Sequence, residues 1–278
     1  MRPVPVVFHI GPLEIHTYGI GLALTFWFGY RYLARRLRQR GYPDDWLGGT
    51  FVWIVVAAIV GARIVHVLAH LSYYTSNPGD VFAIWHGGLS SFGGLALAVP
   101  VGLVSARRRC PALPLAVAGD LVAPVLVAAW AMGRLLGPQF MVAGGGKVTR
   151  AWFGMYYAGE VGKRLPVPLF QAAECFVVYL VAMRIERWCR ANPALPAGIV
   201  TGMAVSLWGL SRFFDEYFYL THDAGTDAVE AAGLAFFVVG AAVSLLLVRR
   251  GRRAASGERA RAEAVGENAG VASTGSPG

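Results

Sequence analysis

Long apolar stretches recur along this chain as far as about Arg249, and short polar segments separate them. A helix needs about 20 predominantly apolar residues to cross a bilayer, and each stretch approaches that length. With 56% hydrophobic and only 15% charged residues, the chain is too apolar for a soluble domain of its size. The predicted fold class is therefore an all-α integral membrane protein with seven transmembrane helices. The predicted spans are Ile15–Leu33, Leu47–Leu68, Leu89–Ser105, Leu115–Leu136, Leu169–Ile185, Ala197–Phe214 and Val229–Val248.

Clusters of arginine follow every second span. Short cytoplasmic loops carry the excess of Lys and Arg, so the clusters predict a cytoplasmic carboxyl terminus and an amino terminus outside. The outer connections 70–88 and 215–230 fit, since the first lacks Lys and Arg and the second is acidic. The outer segment 137–168 is basic instead, which indicates contact with an anionic substrate. The cytoplasmic clusters are Arg31, Arg35, Arg36, Arg38 and Arg40; Arg107 to Arg109; Arg184, Arg187 and Arg190; and Arg249, Arg250, Arg252 and Arg253.

The predicted organisation is one transmembrane domain, 1–248, and a disordered, basic cytoplasmic tail, 249–278. The tail lacks aromatic residues and is rich in Arg, Ala, Gly, Glu and Ser, a composition that cannot bury enough apolar surface to fold. The net charge of +9 lies between hydrophobic segments, which indicates topology and contact with membrane lipid, with no nucleic acid as a partner. The three cysteines are an odd count without metal-ligand spacing, which predicts neither a disulfide framework nor a zinc site. No cofactor is expected.

Three arginines lie inside the predicted spans, close to the outer leaflet: Arg63, Arg134 and Arg212. Tyr18 begins the first span at the same depth. Ionisable residues inside a membrane usually mark a site or an internal pair, and guanidinium groups bind phosphate through bidentate hydrogen bonds. The competing interpretation is snorkelling, in which the aliphatic stem lies in lipid and the guanidinium reaches the interface.

Two further polar or small-residue features have alternative interpretations. Glycine pairs flank Ser90, and such residues either allow close packing of helices or form a bent loop that presents backbone N–H groups to an anion. The short spacing of the pairs favours the bent loop. Asp120 lies near the cytoplasmic start of the fourth span, too deep to pair with Arg134, and is predicted to be a structural partner for a helix end or another polar group.

The order and spacing of these residues resemble the prolipoprotein diacylglyceryl transferase family across nearly the whole chain before the tail. The resemblance depends on short motifs in five predicted helices. They are Ile15-His16-Thr17-Tyr18-Gly19; Gly61-Ala62-Arg63; Trp85-His86-Gly87-Gly88-Leu89-Ser90 with Gly93-Gly94; Asp120-Leu121-Val122-Ala123-Pro124 with Gly133-Arg134; and Arg212-Phe213 with Glu216.

The resemblance implies a multi-pass protein of the bacterial plasma membrane. The implied activity transfers the diacylglyceryl group of phosphatidylglycerol to the lipobox cysteine of a preprolipoprotein signal peptide, forming a thioether and releasing glycerol phosphate. It implies Arg134, Arg212 and Tyr18 as catalytic residues, with His86, His16 or Glu216 assisting the proton transfer. The implied substrate-binding residues are Arg134, Arg212, Gly87, Gly88, Gly93, Gly94, Arg63 and Glu216.

Several positions that are often polar in the family differ in this chain. They are Phe92, Pro138, Leu165 and Gln171. Two interpretations follow: a divergent active transferase, or an inactive paralogue that binds anionic lipid or lipoprotein precursor. Charged residues retained within a membrane favour activity. A small membrane transporter is a remote third interpretation, because no inverted repeat or pair of broken helices is evident.

Overall fold

A computed structural model describes residues 7–10, 13–83, 88–136, 144–157, 160–220 and 224–274, with side chains described for 19–83, 88–90, 92–135, 144–157, 160–220 and 229–257. Helices dominate these ranges. They are α1 Thr17–Gln39, α2 Leu47–Ala69, α3 Leu71–Ser76, α4 Ser91–Arg109, α5 Leu115–Leu136, α6 Val167–Ala191, α7 Ile199–Phe214 and α8 Ala224–Thr274. Short elements join them: a 3-10 turn at Pro78–Phe82, a π-helical segment at Asp215–Tyr219, and the antiparallel pairs β1 Val7–Ile10 with β2 Leu13–His16 and β3 Met155–Tyr156 with β4 Lys163–Arg164.

The helices α1, α2 and α4 to α8 overlap the seven predicted spans. Within the described residues, four helices are long and apolar enough to cross a membrane: Leu47–Ala69, Leu115–Leu135, Val167–Ala191 and Val229–Gly257. Large apolar side chains cover their outer surfaces, and Trp53 and Leu68 are 63% and 64% exposed. A belt of this kind is stable in contact with lipid. The all-helical class and the membrane character are confirmed, while crossing by seven helices and their orientation stay predictions.

Small residues bring pairs of helices into close contact. The most extensive contacts join α7 with α8 and α2 with α4. A Cβ atom built on Gly61 of α2 would lie 2.3 Å from the backbone oxygen of Gly93 in α4. Gly209 of α7 and Gly233 of α8 meet in the same way. Such close approach allows dispersion contacts and weak backbone interactions where no hydrophobic effect acts between helices.

An ionic cluster joins α1 and α6 at their arginine-rich ends. Glu186 is 1% exposed and accepts hydrogen bonds from Arg36 at 3.0 Å, from Arg40 at 2.7 Å and from Arg190 at 2.7 Å. Arg36 also donates to the backbone oxygens of Asp120 and Leu121 in α5. Because removal of one partner would leave buried charge uncompensated, this Glu186 cluster fixes the mutual positions of α1, α5 and α6.

Asp120 of α5 caps the beginning of α7. The N-cap residue of α7 is Gly198, with a φ of 105°, and it has no side chain to serve as a cap. Asp120 Oδ2 accepts the N–H of Gly198 at 2.7 Å, and Oδ1 accepts both the N–H and the hydroxyl of Thr201. The prediction that Asp120 is a structural partner for a helix end is confirmed.

The segment after Val248 differs from expectation in its local structure. Its composition predicts disorder, whereas α8 continues as helix to Thr274. Ala, Arg and Glu are good helix formers, and the apolar part of α8 supplies the costly nucleus of the helix. Gly251 also lies against Ala194 and Pro196 in the connection between α6 and α7. The division of the chain after residue 248 stays a prediction.

Candidate active site

Arg212 lies in the last turn of α7 and forms a buried ion-pair cluster with the residues that follow it. Its Nη1 donates to Asp215 Oδ2 at 3.0 Å, and its Nη2 donates to Glu216 Oε1 at 2.5 Å. Arg212, Asp215 and Glu216 are 6%, 1% and 3% exposed. Both carboxylates belong to the π-helical segment, whose wider turn continues α7. Single π turns occur frequently at functional sites, and here one holds two acidic groups against one guanidinium.

Arg134 occupies the last turn of α5, next to an aromatic cluster. Its guanidinium carbon lies 5.4 Å from the ring centroid of Trp130, within the range of a cation–π contact. The Trp130 ring meets Trp208 of α7 at 5.3 Å, and Trp208 in turn meets Phe92 of α4 at 6.0 Å. Aromatic packing from three helices therefore positions the part of α5 that carries Arg134.

The two arginines act on the same carboxylate. Asp215 experiences the electrostatic attraction of Arg134 as well as that of Arg212, to which it is bonded. Arg134 and Arg212 come from separate spans and lie 78 positions apart in the printed sequence. The structure therefore brings these two predicted site residues into one electrostatic environment.

Arg63 binds the loop that precedes α4. It donates to the backbone oxygens of Val81 at 2.9 Å and Gly88 at 3.0 Å, and to that of Asp80. Its guanidinium also lies 5.2 Å from the ring centroid of Tyr74. Through these contacts Arg63 holds the connection between α2 and α4 in place. Its predicted role in substrate binding stays a prediction.

The glycine pairs divide into two structural roles. Gly88 has a φ of 72°, and a Cβ there would meet the side chains of His66 and Arg63 at less than 3 Å. Gly93 and Gly94 instead lie inside α4 against α2. The preference for a single bent loop was therefore wrong for the second pair, because the backbone becomes helical at Ser91. Gly87 lies outside the described residues.

Other predicted residues also fall outside the described part of the chain. The side chains of His16 and Tyr18 are not included in it, although the backbone of Tyr18 belongs to α1. His86 and Pro138 lie in the undescribed ranges. Leu165 is described, and its backbone oxygen accepts the N–H of Gly146 at 2.9 Å.

The basic outer loop packs on the π-helical segment. The backbone N–H of Lys147 donates to the oxygen of Tyr219 at 2.8 Å, and the Lys147 ammonium donates to the oxygen of Tyr217 at 3.3 Å. Gly146 approaches the same segment so closely that a Cβ would lie 2.4 Å from the Tyr219 oxygen. In this loop, burial raises the pKa of Tyr157 to about 12, so its hydroxyl remains protonated. The loop thus supports the carboxylates that hold Arg212.

Sequence reasoning missed Glu174 of α6 and Asp215 next to Glu216, and it gave Gln171 of α6 only as a departure from the family pattern. Gln171 and Glu174 lie one turn apart on α6 and approach Asp215. Glu174 falls inside the fifth predicted span, and an ionisable residue at such a position is a signal that could have identified it. Within the described residues, no group of three or more His, Cys, Asp or Glu is arranged to hold a metal ion.

Several buried polar atoms at this cluster have no hydrogen-bond partner among the described residues. They are Gln171 Oε1, Glu174 Oε2, Arg212 Nε and Asp215 Oδ1. Buried polar atoms are almost always paired. Their concentration next to Arg134 and Arg212 indicates a place where a proton or a ligand completes the structure.

An apolar groove of about 500 Å³ runs beside the cluster between α1, α5 and α6. Leu135 and Ala172 line one end of the groove, and they directly follow Arg134 and Gln171 in the sequence. Phe28 and Tyr179 lie at the other end. From Leu169 to Tyr179 the groove follows about 15 Å of α6, at the usual rise per residue. The lining is almost entirely apolar, which suits an acyl chain.

A model of the prolipoprotein diacylglyceryl transferase family matches residues 5–251. Similar proteins include a phosphatidylglycerol–prolipoprotein diacylglyceryl transferase of Geobacter sulfurreducens, 33% identical over 77% of this chain and 81% of that protein. The protein of the same name from a Janthinobacterium species is 31% identical over 89% of this chain and 97% of that protein. The one from Tolumonas auensis is 27% identical over 77% of this chain and 82% of that protein.

Proposed function

Because this chain belongs to the prolipoprotein diacylglyceryl transferase family, we propose that it transfers a diacylglyceryl group from phosphatidylglycerol to a preprolipoprotein. The acceptor is the lipobox cysteine thiol, and the products are a thioether and glycerol phosphate. The observation that carries this proposal is the pair Arg134 and Arg212, which lie in the electrostatic environment of one carboxylate, Asp215, beside an apolar groove. This arrangement suits a phosphate attached to acyl chains.

The proposed location is the bacterial plasma membrane, with seven spans, the amino terminus outside and the carboxyl terminus in the cytoplasm. Basic residues in the last turns of α1, α4 and α6 support this orientation, because Lys and Arg accumulate on the cytoplasmic side. Arg134 and Arg212 lie in the last turns of α5 and α7, which this orientation places near the outer leaflet. A lipobox cysteine exported through the membrane would arrive at that side.

The chemical demand is stabilisation of a departing phosphate. The substrate's sulfur attacks the glycerol carbon bonded to phosphate, the C–O bond breaks, and its electron pair stays on the phosphate oxygen. Preorganised donors aimed at this growing charge lower the barrier. Arg134, which is partly exposed, is the proposed direct phosphate ligand. Arg212 is proposed to offer its remaining donors from a fixed position, and Tyr18 to hydrogen-bond the headgroup.

The groove between α1, α5 and α6 is the proposed site of one acyl chain. Leu135 follows Arg134 directly, so a chain lying in the groove would place its phosphate close to that guanidinium. Binding energy from the chain would then orient the reacting carbon, as remote parts of a substrate commonly do. Arg63, Gly88 and Glu216 support the site through the loop and the ion pair described above.

Reconstitution in vesicles tests the proposal. Purified protein is combined with phosphatidylglycerol and a synthetic lipobox peptide, and the diacylglyceryl peptide is detected by mass spectrometry. Product that disappears with Arg134→Ala supports the transferase. Binding of phosphatidylglycerol without any product would indicate the inactive lipid-binding paralogue instead, and substrate flux across the vesicle membrane would indicate a transporter.

A further inference from the structure

Two carboxyl groups face each other beside Arg212, and each has a buried oxygen without a donor. Glu174 Oε2 and Asp215 Oδ1 lack hydrogen-bond partners among the described residues, and the two side chains lie within hydrogen-bonding contact. Ionised carboxylates only accept hydrogen bonds, so neither oxygen can satisfy the other. A single proton between the two groups would satisfy both.

The charges of the described groups also favour a retained proton. Three carboxyl groups, Glu174, Asp215 and Glu216, surround two guanidinium groups, Arg134 and Arg212. If all five were ionised, these described groups together would carry one negative charge in excess. Closely spaced carboxylates in a poorly solvated place retain a proton for this reason.

The proposed reaction needs a group that accepts the thiol proton, because the thiolate is the nucleophile. Phe92 and Gln171 lie at this end of the bundle and neither accepts a proton at neutral pH. Glu216 is bonded to Arg212. Glu174 is half-buried, and its neighbours Ala173 and Phe176 line the apolar groove. Within this cluster Glu174 is thus the carboxyl group that is partly exposed, whereas Asp215 and Glu216 are buried.

We propose that Glu174 and Asp215 share one proton and relay the substrate's thiol proton to the departing phosphate. This inference rests on the proposed transferase function. The pair takes the proton from sulfur as the S–C bond forms and the C–O bond breaks. It returns one proton to the phosphate oxygen that received the electron pair, and ends in its starting state.

Several charged or titratable groups face the pair and belong to its electrostatic environment. Arg134 lies on α5 and Arg212 on α7, while Cys175 is on α6 beside Glu174. Glu216 and Tyr219 belong to the π-helical segment. Lys147 of the outer loop reaches that segment through the Tyr217 oxygen. Substitution at Glu174 leaves these groups in place, so it isolates the contribution of the pair.

The test is Glu174→Gln in the reconstituted transferase, measured from pH 6 to pH 9 with phosphatidylglycerol and lipobox peptide. Glutamine keeps a hydrogen bond to Asp215 and cannot exchange the proton. We expect kcat to fall by about 10²- to 10⁴-fold near pH 6.5, the usual range for loss of a general acid–base group. The KM for phosphatidylglycerol should change little. The defect should shrink towards pH 9, where a thiol with a pKa near 8.5 ionises without help.

Glu160→Gln is the matched control, since Glu160 is an outer carboxylate paired with Arg164 in the loop, and it should retain wild-type activity. Asp215→Asn is a second variant that should show the same dependence on pH, with folding checked by gel filtration in detergent. The relay alone would be overturned if the wild-type protein forms product and Glu174→Gln forms it at the same rate. A loss of rate in Glu174→Gln that is equal at every pH would also overturn the relay alone. Absence of product with wild-type protein would overturn the transferase function itself.

Discussion

The carboxylate of Asp120 accepts the backbone N–H of Thr201 at 2.8 Å, although Asp120 belongs to α5 and Thr201 to the first turn of α7. A helix usually receives its cap from its own N-cap side chain. Here the N-cap is Gly198, and a neighbouring helix supplies the carboxylate. The cap therefore fixes the register of α7 against α5, and with it the relative positions of Arg134 and Arg212.

Replacement of Asp120 by Ala should destabilise the protein by about 1 to 2 kcal/mol, the usual cost of a lost N-cap. The remaining folded molecules should have reduced activity, because Arg212 loses its fixed register. Thermal unfolding in detergent and the transfer assay measure the two effects. Asp44→Ala removes the partly exposed partner of the exposed Arg38 and should stay within about 0.5 kcal/mol of wild type. Equal stability of both variants would contradict the capping role.

Gly93→Ala should destabilise the contact between α2 and α4. The added methyl group would lie 2.3 Å from the oxygen of Gly61, and overpacking of this kind typically costs about 1 to 3 kcal/mol. Gly29→Ala is the matched control, since no atom lies within 4 Å of a Cβ at this helical position. It should be neutral or stabilising by up to about 1 kcal/mol. Urea or thermal unfolding of the two variants measures the difference.

Arg134→Ala and Arg212→Ala should each abolish measurable transfer while membrane insertion is retained. Loss of one charge-stabilising donor commonly lowers kcat by about 10²- to 10³-fold, and Arg212→Ala also leaves Asp215 and Glu216 without their cation. We expect Arg212→Ala to lower thermal stability as well, and Arg134→Ala to do so much less. Arg107→Ala, at the arginine-rich end of α4, is the control. Wild-type activity in both site variants would exclude the phosphate-binding role.

Ala128→Phe should fill part of the groove between α1, α5 and α6. We expect a higher KM for phosphatidylglycerol with long acyl chains and a smaller effect with short-chain analogues, because only the long chain needs the occupied space. Leu126→Phe is the control, since Leu126 lies on the same helix, is 40% exposed and does not line the groove. Equal KM values for long and short chains in Ala128→Phe would place the acyl chain elsewhere.

The helices were predictable because each apolar stretch matches the length of a helix, and arginine clusters mark the helix ends. Asp120 was predictable as a structural partner because an isolated carboxylate inside a span requires one. Glu174 carries the same signal, yet its partner Asp215 depends on the wider π turn after Phe214, which no local pattern announces. The role of Gly93 also depends on which helix faces it. The partner of Glu174 and the packing of Gly93 both depend on contacts between segments that are distant in the sequence.

The Glu186 cluster has a mechanical consequence for the bundle. Ion pairs with Glu186 join α1 to α6, and Arg36 also binds backbone oxygens of α5, whereas mostly apolar side chains line the groove between the same helices further along. We therefore expect these helices to be held most firmly near Glu186 and less firmly further along the groove, where the Tyr32 and Tyr179 hydroxyls join α1 and α6 at 2.7 Å. A two-chained lipid would then enter from the bilayer between the groove ends of these helices, while the Glu186 cluster keeps their other ends together.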